Sequence, residues 1–412
     1  MNRENNKVFK VIIIGGGMSG LVSACQLSKR FLGEEIAIIE KLPRVGKKIL
    51  STGNGQCNLT NENITLSNYH GKDVEFAKYS LENFDKNSLI NFFEELGIKL
   101  CVDNGKYYPL SKQANSVLDA LRFNLLAKGV NIFTEEKVTN VSKKEVFLVE
   151  TDKNNKYFAK NVIVSVGGKS AKHLGTDGSS YSLLEKFGHK TTSLYPSLVQ
   201  LKCDTSLIKG LRGLKSQVEL YATTSSKTSN KIKGELLFTD YGLSGNAIFT
   251  ISSQLAGEKD AKVYVDFCPS MTSGELIDFL TKKIQNCSYL NAENLLSGIV
   301  PNKMALRFLI NNGINPENPL DKNSVEKVVN FLKSTCYKIT GDTGFDNSQV
   351  THGGIITSDF DSTTMQSNLV KGLYAIGEVL DIDGDCGGYN LQWAYSSAMT
   401  ACKDIKWTNF QT

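Results

Sequence analysis

The sequence predicts an α/β protein in which one nucleotide-binding domain is interrupted by a second domain. β-Branched residues at 8–14 run into glycines, and helical spacing follows at 18–30, a pattern typical of a Rossmann-type β-α-β unit. From about Pro196 the pattern changes to alternating strands and then to helices, which favours an inserted domain. An apolar strand ending at glycine returns at 373–377, so both ends of the chain are expected to build the Rossmann-type domain.

The predicted Rossmann-type domain is therefore discontinuous and covers residues 1–194 and 346–412. The predicted insert covers 195–345, with strands at about 195–268 and helices at about 273–334. We expect a mixed β-barrel and helical domain there. A domain of this size most naturally covers a substrate pocket, so we expect it on the substrate side.

The individual elements follow from apolar runs and from helical spacing. The remaining predicted strands lie at 36–39, 130–133, 146–150, 157–166, 198–202, 218–221, 233–238 and 263–267. The remaining predicted helices lie at 115–128, 273–284, 302–310 and 325–332, with a last helix that begins near Tyr389 and runs to Cys402.

Composition limits the class of protein. The 412 residues exceed what one hydrophobic core usually serves, and the formal net charge of +5 is carried by scattered lysines, which gives no support for a nucleic acid or a membrane as partner. No run approaches the roughly 18 apolar residues of a membrane span, and the N-terminus does not resemble a signal peptide. Nine cysteines without metal-ligand or C-x-x-C spacing fit a reducing cytoplasm. We therefore expect a soluble cytoplasmic protein without a metal.

The first glycine-rich turn has the spacing of a dinucleotide site. Gly15 permits a tight turn, Gly17 lets the backbone approach a pyrophosphate, and Gly20 lets the helix pack closely on the strand. The phosphates would then lie at a helix N-terminus, which favours anions. Glu40 ends the next strand and is placed to bind the hydroxyls of the adenosine ribose.

A long polar loop follows at 46–61, with three glycines and no apolar periodicity. Its backbone and polar side chains are typical of a loop that wraps around a ligand. The side chains of Lys47 and Lys48 could bind a phosphate group. A further buried strand ends at Gly167 and Gly168, where the chain is expected to pass under the dinucleotide.

The C-terminal motif indicates which dinucleotide is bound. The runs 377–381 and 387–390 place a second glycine-rich site after another apolar strand. Asp381 could accept hydrogen bonds from a ribityl chain, and a helix N-terminus at 387–390 would stabilise the negative charge that a flavin ring gains on reduction. A flavin dinucleotide is long enough to need both sites, so the sequence predicts FAD.

The residues predicted to bind FAD come from these turns and from the polar loop. They are Gly15, Gly17, Met18, Ser19, Gly20, Glu40, Lys41, Lys47, Lys48, Ser51, Gly53, Asn54, Cys57, Asn58, Gly167, Gly168, Gly377, Glu378, Asp381, Gly387, Gly388, Tyr389, Asn390 and Leu391.

Four long motifs in order, at 46–61, 234–245, 350–355 and 372–397, together resemble the BaiN/YhiN-like flavoproteins. These are NAD(P)/FAD-dependent oxidoreductases and include aminoacetone oxidase-like enzymes. The resemblance spans nearly the whole chain. It implies a glutathione-reductase-like FAD domain that is interrupted by an insert and holds FAD without a covalent bond.

The chain departs from the family pattern at two positions. Gln56 stands where the family usually has arginine, which removes a positive charge from the polar loop. Ala398 stands where the family usually has glycine, which adds only a methyl group. Neither change removes a residue that FAD binding needs.

Candidate acid and base groups are few. His352 lies within a motif that is expected to reach the flavin ring, and Tyr389 and Tyr241 could also deliver a proton. Cys57 and Cys386 lie on two loops expected to reach the cofactor, which would permit a dithiol relay. A loop histidine that is satisfied by backbone groups is the simpler interpretation of His352.

The leading hypothesis is an FAD-dependent oxidoreductase that transfers hydride between FAD and a small or steroid-like organic substrate. No second G-x-G-x-x-G occurs, so NAD(P)H as donor would have to dock transiently. An oxygen-using amine oxidase is the alternative within this class. A flavin-dependent RNA-modifying enzyme and a non-catalytic redox sensor are alternatives from other classes.

Overall fold

A computed structural model describes residues 7–406 of the protein. Within this range the chain divides into two compact units. The first, here called the discontinuous unit, reaches to Tyr195 and resumes at Val350. The second, here called the inserted unit, is Pro196–Gln349.

Helices occur in both units. The α-helices are α1 Met18–Leu27, α2 Lys78–Asn83, α3 Lys86–Glu95, α4 Ala114–Ala127, α5 Ser182–Glu185, α6 Asn246–Gln254, α7 Ser273–Asn286, α8 Ala292–Leu295, α9 Asn302–Asn311, α10 Lys322–Lys333 and α11 Tyr389–Asp404. Short 3₁₀ turns lie at Gly33–Glu35, Ile49–Gly55, Leu66–Asn68, Val74–Ala77, Lys172–Leu174, Ser179–Tyr181, Thr205–Leu207, Thr357–Asp359 and Gly377–Val379.

The strands are mostly short. They are β1 Val8–Ile14, β2 Ile36–Ile39, β3 Thr60–Asn61, β4 Tyr69–His70, β5 Leu100–Asp103, β6 Lys106–Pro109, β7 Asn131–Phe133, β8 Val138–Lys143, β9 Phe147–Thr151, β10 Lys156–Val164, β11 Tyr195–Ser197, β12 Leu201–Cys203, β13 Lys215–Thr223, β14 Ile232–Phe238, β15 Gly242–Ser244, β16 Lys262–Asp266, β17 Thr335–Asp342, β18 Val350–His352, β19 Leu373–Ala375 and β20 Asp383–Gly384.

The discontinuous unit is built on a sheet in the order β7-β2-β1-β10-β9-β8. Strands β7, β2, β1 and β10 are parallel, and residues 11–14 of β1 are buried, as in a sheet covered on both faces. The first half of β10 pairs with antiparallel β9, and its second half pairs with parallel β19 from the C-terminal part of the chain.

This topology brings the ends of the chain together. The carboxyl ends of parallel strands meet at one edge of a sheet, where ligands bind in open α/β folds. Strands β1, β2, β10 and β19 each lead into a predicted ligand-binding segment at that edge. Helix α11 packs against α1 behind this edge, and the thiol of Cys402 donates to the carbonyl oxygen of Ser23 at 3.5 Å.

The inserted unit contains a closed antiparallel barrel in the order β12-β15-β14-β13-β16-β17. Alternate residues point inward, as Val218 and Leu220 do in β13, and they pack against helices α6 to α10 in one hydrophobic core. The α/β class and the inserted barrel with helices confirm the predicted fold class.

Three predicted features of the insert are wrong in detail. The strand predicted at 198–202 begins only at Leu201, because Leu198 takes a left-handed backbone conformation with φ of 50°. Helix α6 lies among the strands, and β17 follows the helices and closes the barrel by pairing with β12 and β16. The strand pattern of β17 is weak because only alternate residues face the core, namely Thr335 and Tyr337, which are buried, and Ile339, which is partly buried.

Candidate cofactor site

Three glycine turns converge at the carboxyl edge of the sheet. A Cβ atom on Gly15 would lie 2.5 Å from the carbonyl oxygen of Ser165, at the end of β10. A Cβ atom on Gly377 would lie 2.9 Å from Ser19 Oγ in the first turn of α1. The N-terminal and C-terminal turns are therefore in direct contact, as one shared site requires.

The glycines of the first turn differ in the space around them. A Cβ atom on Gly20 would overlap the carbonyl oxygen of Gly15, so this position must be glycine for α1 to pack on the turn. A Cβ atom on Gly17 would meet no atom within 4 Å. Gly17 is also the N-cap of α1, and no side chain among residues 7–406 caps this helix. Its first N–H groups can therefore bind a phosphate.

The carboxylate of Glu40 is fixed at the mouth of the same turn. Its Oε2 accepts a hydrogen bond from Gly16 N at 2.7 Å, and its Oε1 accepts one from Leu42 N at 2.9 Å. The next residue, Lys41, forms an ion pair of 3.1 Å with Asp177. These contacts hold a negative charge beside the phosphate site, where ribose hydroxyls are expected.

The polar loop joins the site through its lysines. Lys48 Nζ forms a 2.7 Å ion pair with Glu378 Oε2, whose other oxygen accepts from Thr351 N at 3.0 Å. Lys47 Nζ donates to the carbonyl oxygen of His173 at 2.7 Å. Lys48 and Glu378 were predicted as separate cofactor ligands, and the structure pairs them with each other. Gly168 lies against this pair, since its Cβ would be 2.9 Å from Glu378 Oε1.

Not all of the polar loop is buried at the site. Ser51, Gly53 and Asn54 are exposed, and Ser51 Oγ donates to the carbonyl oxygen of Lys48 at 2.9 Å. By contrast, Cys57 and Asn58 are buried. The predicted contact between the exposed residues and FAD stays a prediction.

The N-terminus of α11 and Asn58 provide unsatisfied polar groups. Asn58 is 8% exposed, and its Oδ1 has no hydrogen-bond partner within residues 7–406. A Cβ atom on Gly388 would lie 2.8 Å from this oxygen. Gly388 is the N-cap of α11, and no side chain caps that helix. The pyrimidine edge of a flavin is an imide, in which one N–H is flanked by two carbonyl oxygens. Asn58 Oδ1 can accept from such an N–H, and the N–H groups at the start of α11 can donate to such a carbonyl oxygen. The residues present therefore fit this edge.

Other C-terminal residues brace this loop. The side-chain amide of Asn390 accepts from Gly384 N at 2.8 Å and donates to the carbonyl oxygen of Gly384 at 2.7 Å. Leu391 packs against the hydrophobic core of the unit. The amide of Asn390 therefore supports the turn before α11 instead of presenting both its groups to a ligand.

The two predicted proton donors differ in their surroundings. Tyr389 is buried, its hydroxyl donates to the carbonyl oxygen of Asn63 at 3.2 Å, and burial with the charge of Asp385 raises its pKa. His352 is more accessible, with a side chain 25% exposed and Nδ1 2.8 Å from Oδ1 of Asp383. Because the side chain of Asp383 is 0% exposed, a fully buried carboxylate fixes the imidazole. Of the two residues, His352 therefore has the more accessible side chain.

A second pair of the same kind lies beside the first. His70 Nε2 is 2.9 Å from Asp385 Oδ1, and β4, which contains His70, pairs with β20. The sequence analysis missed Asp383, Asp385 and His70. The signal that could have found them is the alternation of aspartates at 381, 383 and 385 directly after the C-terminal glycine turn.

Asp381 lies deep in the same segment. It is buried, and this burial raises its pKa, although a hydrogen bond from Lys72 N at 3.4 Å opposes the rise. A Cβ atom on Gly71 would overlap the backbone of Asp381. The chain around β4 is therefore a part of the site that sequence reasoning did not single out.

The surroundings of Cys57 and Cys386 argue against a dithiol relay. Burial raises the pKa of Cys57 to about 12 and also raises that of Cys386, which disfavours the reactive thiolate forms. Tyr241 lies in the inserted unit, where its hydroxyl donates to Gln200 Oε1 at 2.9 Å.

Within residues 7–406 no group of three or more histidine, cysteine, aspartate or glutamate residues could hold a metal ion. No helix in that range has the length and hydropathy needed to cross a membrane.

Comparison with known proteins identifies the family of the chain. A family model described as the HI0933-like protein Rossmann domain matches residues 9–404. A 3-dehydro-bile acid delta(4,6)-reductase of Clostridium scindens is 36% identical over 400 residues, which cover 95% of this chain and 98% of that protein. A ribosomal RNA dihydrouridine synthase of Haemophilus influenzae is 30% identical over 401 residues, with coverage of 96% and 98%. A ribosomal RNA dihydrouridine synthase of Escherichia coli is 27% identical over 400 residues, again with coverage of 96% and 98%.

The family match covers almost the whole described chain, and it confirms the resemblance found in the sequence. The Rossmann domain that this family model describes agrees with the parallel sheet and with the glycine turn between β1 and α1. The chain belongs to the HI0933-like family, and it is an FAD-dependent oxidoreductase.

Proposed function

We propose that this chain reduces a carbon–carbon double bond conjugated to a carbonyl group in a small, largely apolar molecule of steroid-like size. The relative from Clostridium scindens supports this proposal, because its name describes a 3-oxo bile acid with double bonds at positions 4 and 6. A double bond at position 4 is conjugated to a carbonyl at position 3. The two proteins align over nearly their full lengths, so the same kind of site is expected in both.

The observation that carries the proposal is the pair formed by His352 and Asp383. Saturating such a double bond requires a hydride at one carbon and a proton at the other. Bound FAD supplies the two-electron chemistry. In our proposal His352 supplies the proton, since its ring is partly exposed and is held through Nδ1 by a buried carboxylate. Asp383 is then a positioning residue that holds the imidazole through Nδ1.

The residues that would hold FAD are those at the carboxyl edge of the sheet. Gly17 and the start of α1 would bind the pyrophosphate, and Glu40 would bind the adenosine ribose. Asn58 and the start of α11 would bind the pyrimidine edge of the ring. Lys48 and Glu378 neutralise each other at 2.7 Å, so they would line the site without adding net charge.

We further propose that NAD(P)H is the electron donor and that it docks transiently. The chain has no second G-x-G-x-x-G, which argues against a separate Rossmann domain for a nicotinamide. We also propose a cytoplasmic location, where NAD(P)H is available. All nine cysteines are free thiols in the structure, which is compatible with a reducing compartment.

A second candidate is reduction of a uracil base in ribosomal RNA. Two relatives carry this activity in their names, at 30% and 27% identity. The double bond of uracil is also conjugated to a carbonyl, so the site chemistry would be the same. We favour the small molecule because the net charge of +5 is modest and scattered, whereas affinity for RNA depends strongly on clustered cations. We therefore expect no nucleic acid partner.

The experiment is an anaerobic two-step reduction. The purified, FAD-loaded protein is mixed with NADH or NADPH, and loss of the flavin absorbance is recorded. A 3-oxo-Δ4 steroid or a ribosomal RNA transcript is then supplied to separate reduced samples, and aminoacetone is added to a further sample of the oxidised protein that has received no nicotinamide. We expect the nicotinamide to bleach the flavin and the steroid to restore its colour with formation of the saturated product.

The other results separate the alternatives. Recovery of colour with RNA and not with the steroid would establish the RNA-modifying function in place of our proposal. Bleaching of the oxidised protein by aminoacetone, followed by recovery with oxygen, would identify an amine oxidase. A flavin that neither nicotinamide reduces would contradict the proposed donor.

A further inference from the structure

Tyr181 carries a buried hydroxyl that lacks a hydrogen-bond partner. The residue is 4% exposed, and no group within residues 7–406 bonds to its phenolic oxygen. An unpaired buried hydroxyl is unfavourable and in a native protein indicates a strained site or a missing ligand. The sequence analysis did not select Tyr181.

The loop that carries Tyr181 is anchored at the cofactor site. Lys41, directly after Glu40, forms its 3.1 Å ion pair with Asp177 on this loop. A Cβ atom on Gly167 would lie 2.8 Å from Cγ2 of Thr176. The short 3₁₀ turn that ends at Tyr181 follows directly after these two contacts. The phenol is thus held on the discontinuous unit near two of the turns that would hold FAD.

The electrostatic surroundings make the phenol a donor. Burial raises the pKa of Tyr181, and the charges of Glu378 and Asp381 raise it further. At neutral pH the hydroxyl therefore stays protonated. Glu378 is already engaged by Lys48 and by Thr351 N, so an oxygen from outside the described chain would be needed as acceptor.

We propose that Tyr181 is a further FAD-binding residue, whose hydroxyl donates a hydrogen bond to an oxygen of the ribityl and pyrophosphate chain of the bound cofactor. Its loop contacts the Gly167 turn through Thr176, and the phenol is close enough to Glu378 and Asp381 to be affected by their charges. These neighbours match that middle part of FAD. The inference concerns the cofactor and therefore holds whichever substrate the enzyme reduces.

The test compares two tyrosine-to-phenylalanine variants of the full chain. Tyr181→Phe removes the unpaired hydroxyl at the site. Tyr337→Phe is the matched control, because Tyr337 is 1% exposed in β17 of the inserted unit and its hydroxyl also lacks a partner. For each FAD-free protein, the dissociation constant of FAD is measured by flavin fluorescence, and thermal unfolding is measured without FAD.

We expect Tyr181→Phe to weaken FAD binding about fivefold to tenfold, the value of one hydrogen bond. The FAD-free variant should be at least as stable as the parent, because no bond is lost in that state. Tyr337→Phe should leave FAD affinity unchanged. An unchanged dissociation constant for Tyr181→Phe would overturn the proposal. A clearly lower unfolding temperature of its FAD-free form would also overturn it, by showing that the phenol has a partner within the protein.

Discussion

At the residue scale, the site depends on polar groups that are brought together from distant parts of the chain. Lys48 and Glu378 are 330 positions apart, and His352 and Asp383 are 31 apart. Both pairs are partly or fully shielded from solvent, and a charge that is shielded from solvent needs a partner. A change in one member is therefore expected to act through the other.

Replacing Asp383 tests whether it positions His352. Asp383→Asn should lower the rate of substrate reduction by about 100-fold, the lower end of the range for lost proton transfer. It should also change the tautomer of His352, because the carboxylate that holds Nδ1 is gone. Imidazole nitrogen chemical shifts of the FAD-free protein report this directly.

The matched control for this test is Asp385→Asn, which breaks the neighbouring pair with His70. It should alter the His70 signals and leave the His352 signals unchanged. Equal effects of both variants on the rate would show that Asp383 acts only through general stability, contrary to our account.

Asp381 gives a prediction about pH. Burial raises its pKa, so the ionised carboxylate destabilises the folded protein at neutral pH, and this penalty disappears as the pH falls through the raised pKa. Asp381→Asn should therefore raise the unfolding temperature of the FAD-free protein at about pH 7, and the gain should shrink as the pH is lowered to about 4, the ordinary pKa of an aspartate. Calorimetry at both pH values measures the difference. A variant that is less stable at neutral pH would mean that the hydrogen bond from Lys72 N outweighs the effect of burial.

At the element scale, the starts of α1 and α11 are the parts of the fold that FAD needs. Both helices begin after a glycine, and neither has a side-chain cap. The unpaired N–H groups are a cost in the free protein that a bound anion or carbonyl oxygen relieves. The two helices also pack on each other, so one helix supports the other.

Gly17→Ala separates binding from folding at this scale. The added Cβ would meet no protein atom within 4 Å, so the FAD-free protein should fold with little change in unfolding temperature. The methyl group would occupy the approach of the pyrophosphate, and FAD affinity should fall by at least about tenfold, or ~1.4 kcal/mol. Isothermal titration calorimetry with FAD measures the change.

Gly274→Ala is the matched control, since it adds a methyl group to an equally open glycine in α7. It should change neither FAD affinity nor fold. If Gly17→Ala bound FAD as tightly as the parent, the pyrophosphate could not lie against this turn.

Sequence patterns were sufficient for some elements and not for others. The helix after Gly17 and the close packing at Gly20 could be predicted because the steric demands of a dinucleotide turn are local. The barrel strand β17 was missed because half of its residues face solvent and its partners, β12 and β16, are set by tertiary pairing. The same limit explains why His352 was found while Asp383, its partner, was not.

At the scale of the whole molecule, the chain consists of a discontinuous unit and an inserted unit with separate hydrophobic cores. Sheet topology alone places β19, near the C-terminus, beside β10 and so brings residues near 377 to the first glycine turn. The sequence predicted that both ends of the chain build one domain, because an apolar strand ending at glycine returns at 373–377. The role of the inserted unit on the substrate side stays a prediction.

The most direct test of the account is hydrogen–deuterium exchange of the full chain with and without FAD. Our central claim is that one FAD molecule binds to both ends of the chain at once. We therefore expect a single equivalent of FAD to slow exchange together in peptides that contain Gly15–Gly20 and in peptides that contain Gly387–Asn390. Slower exchange in only one of these segments, or none at saturating FAD, would contradict the claim.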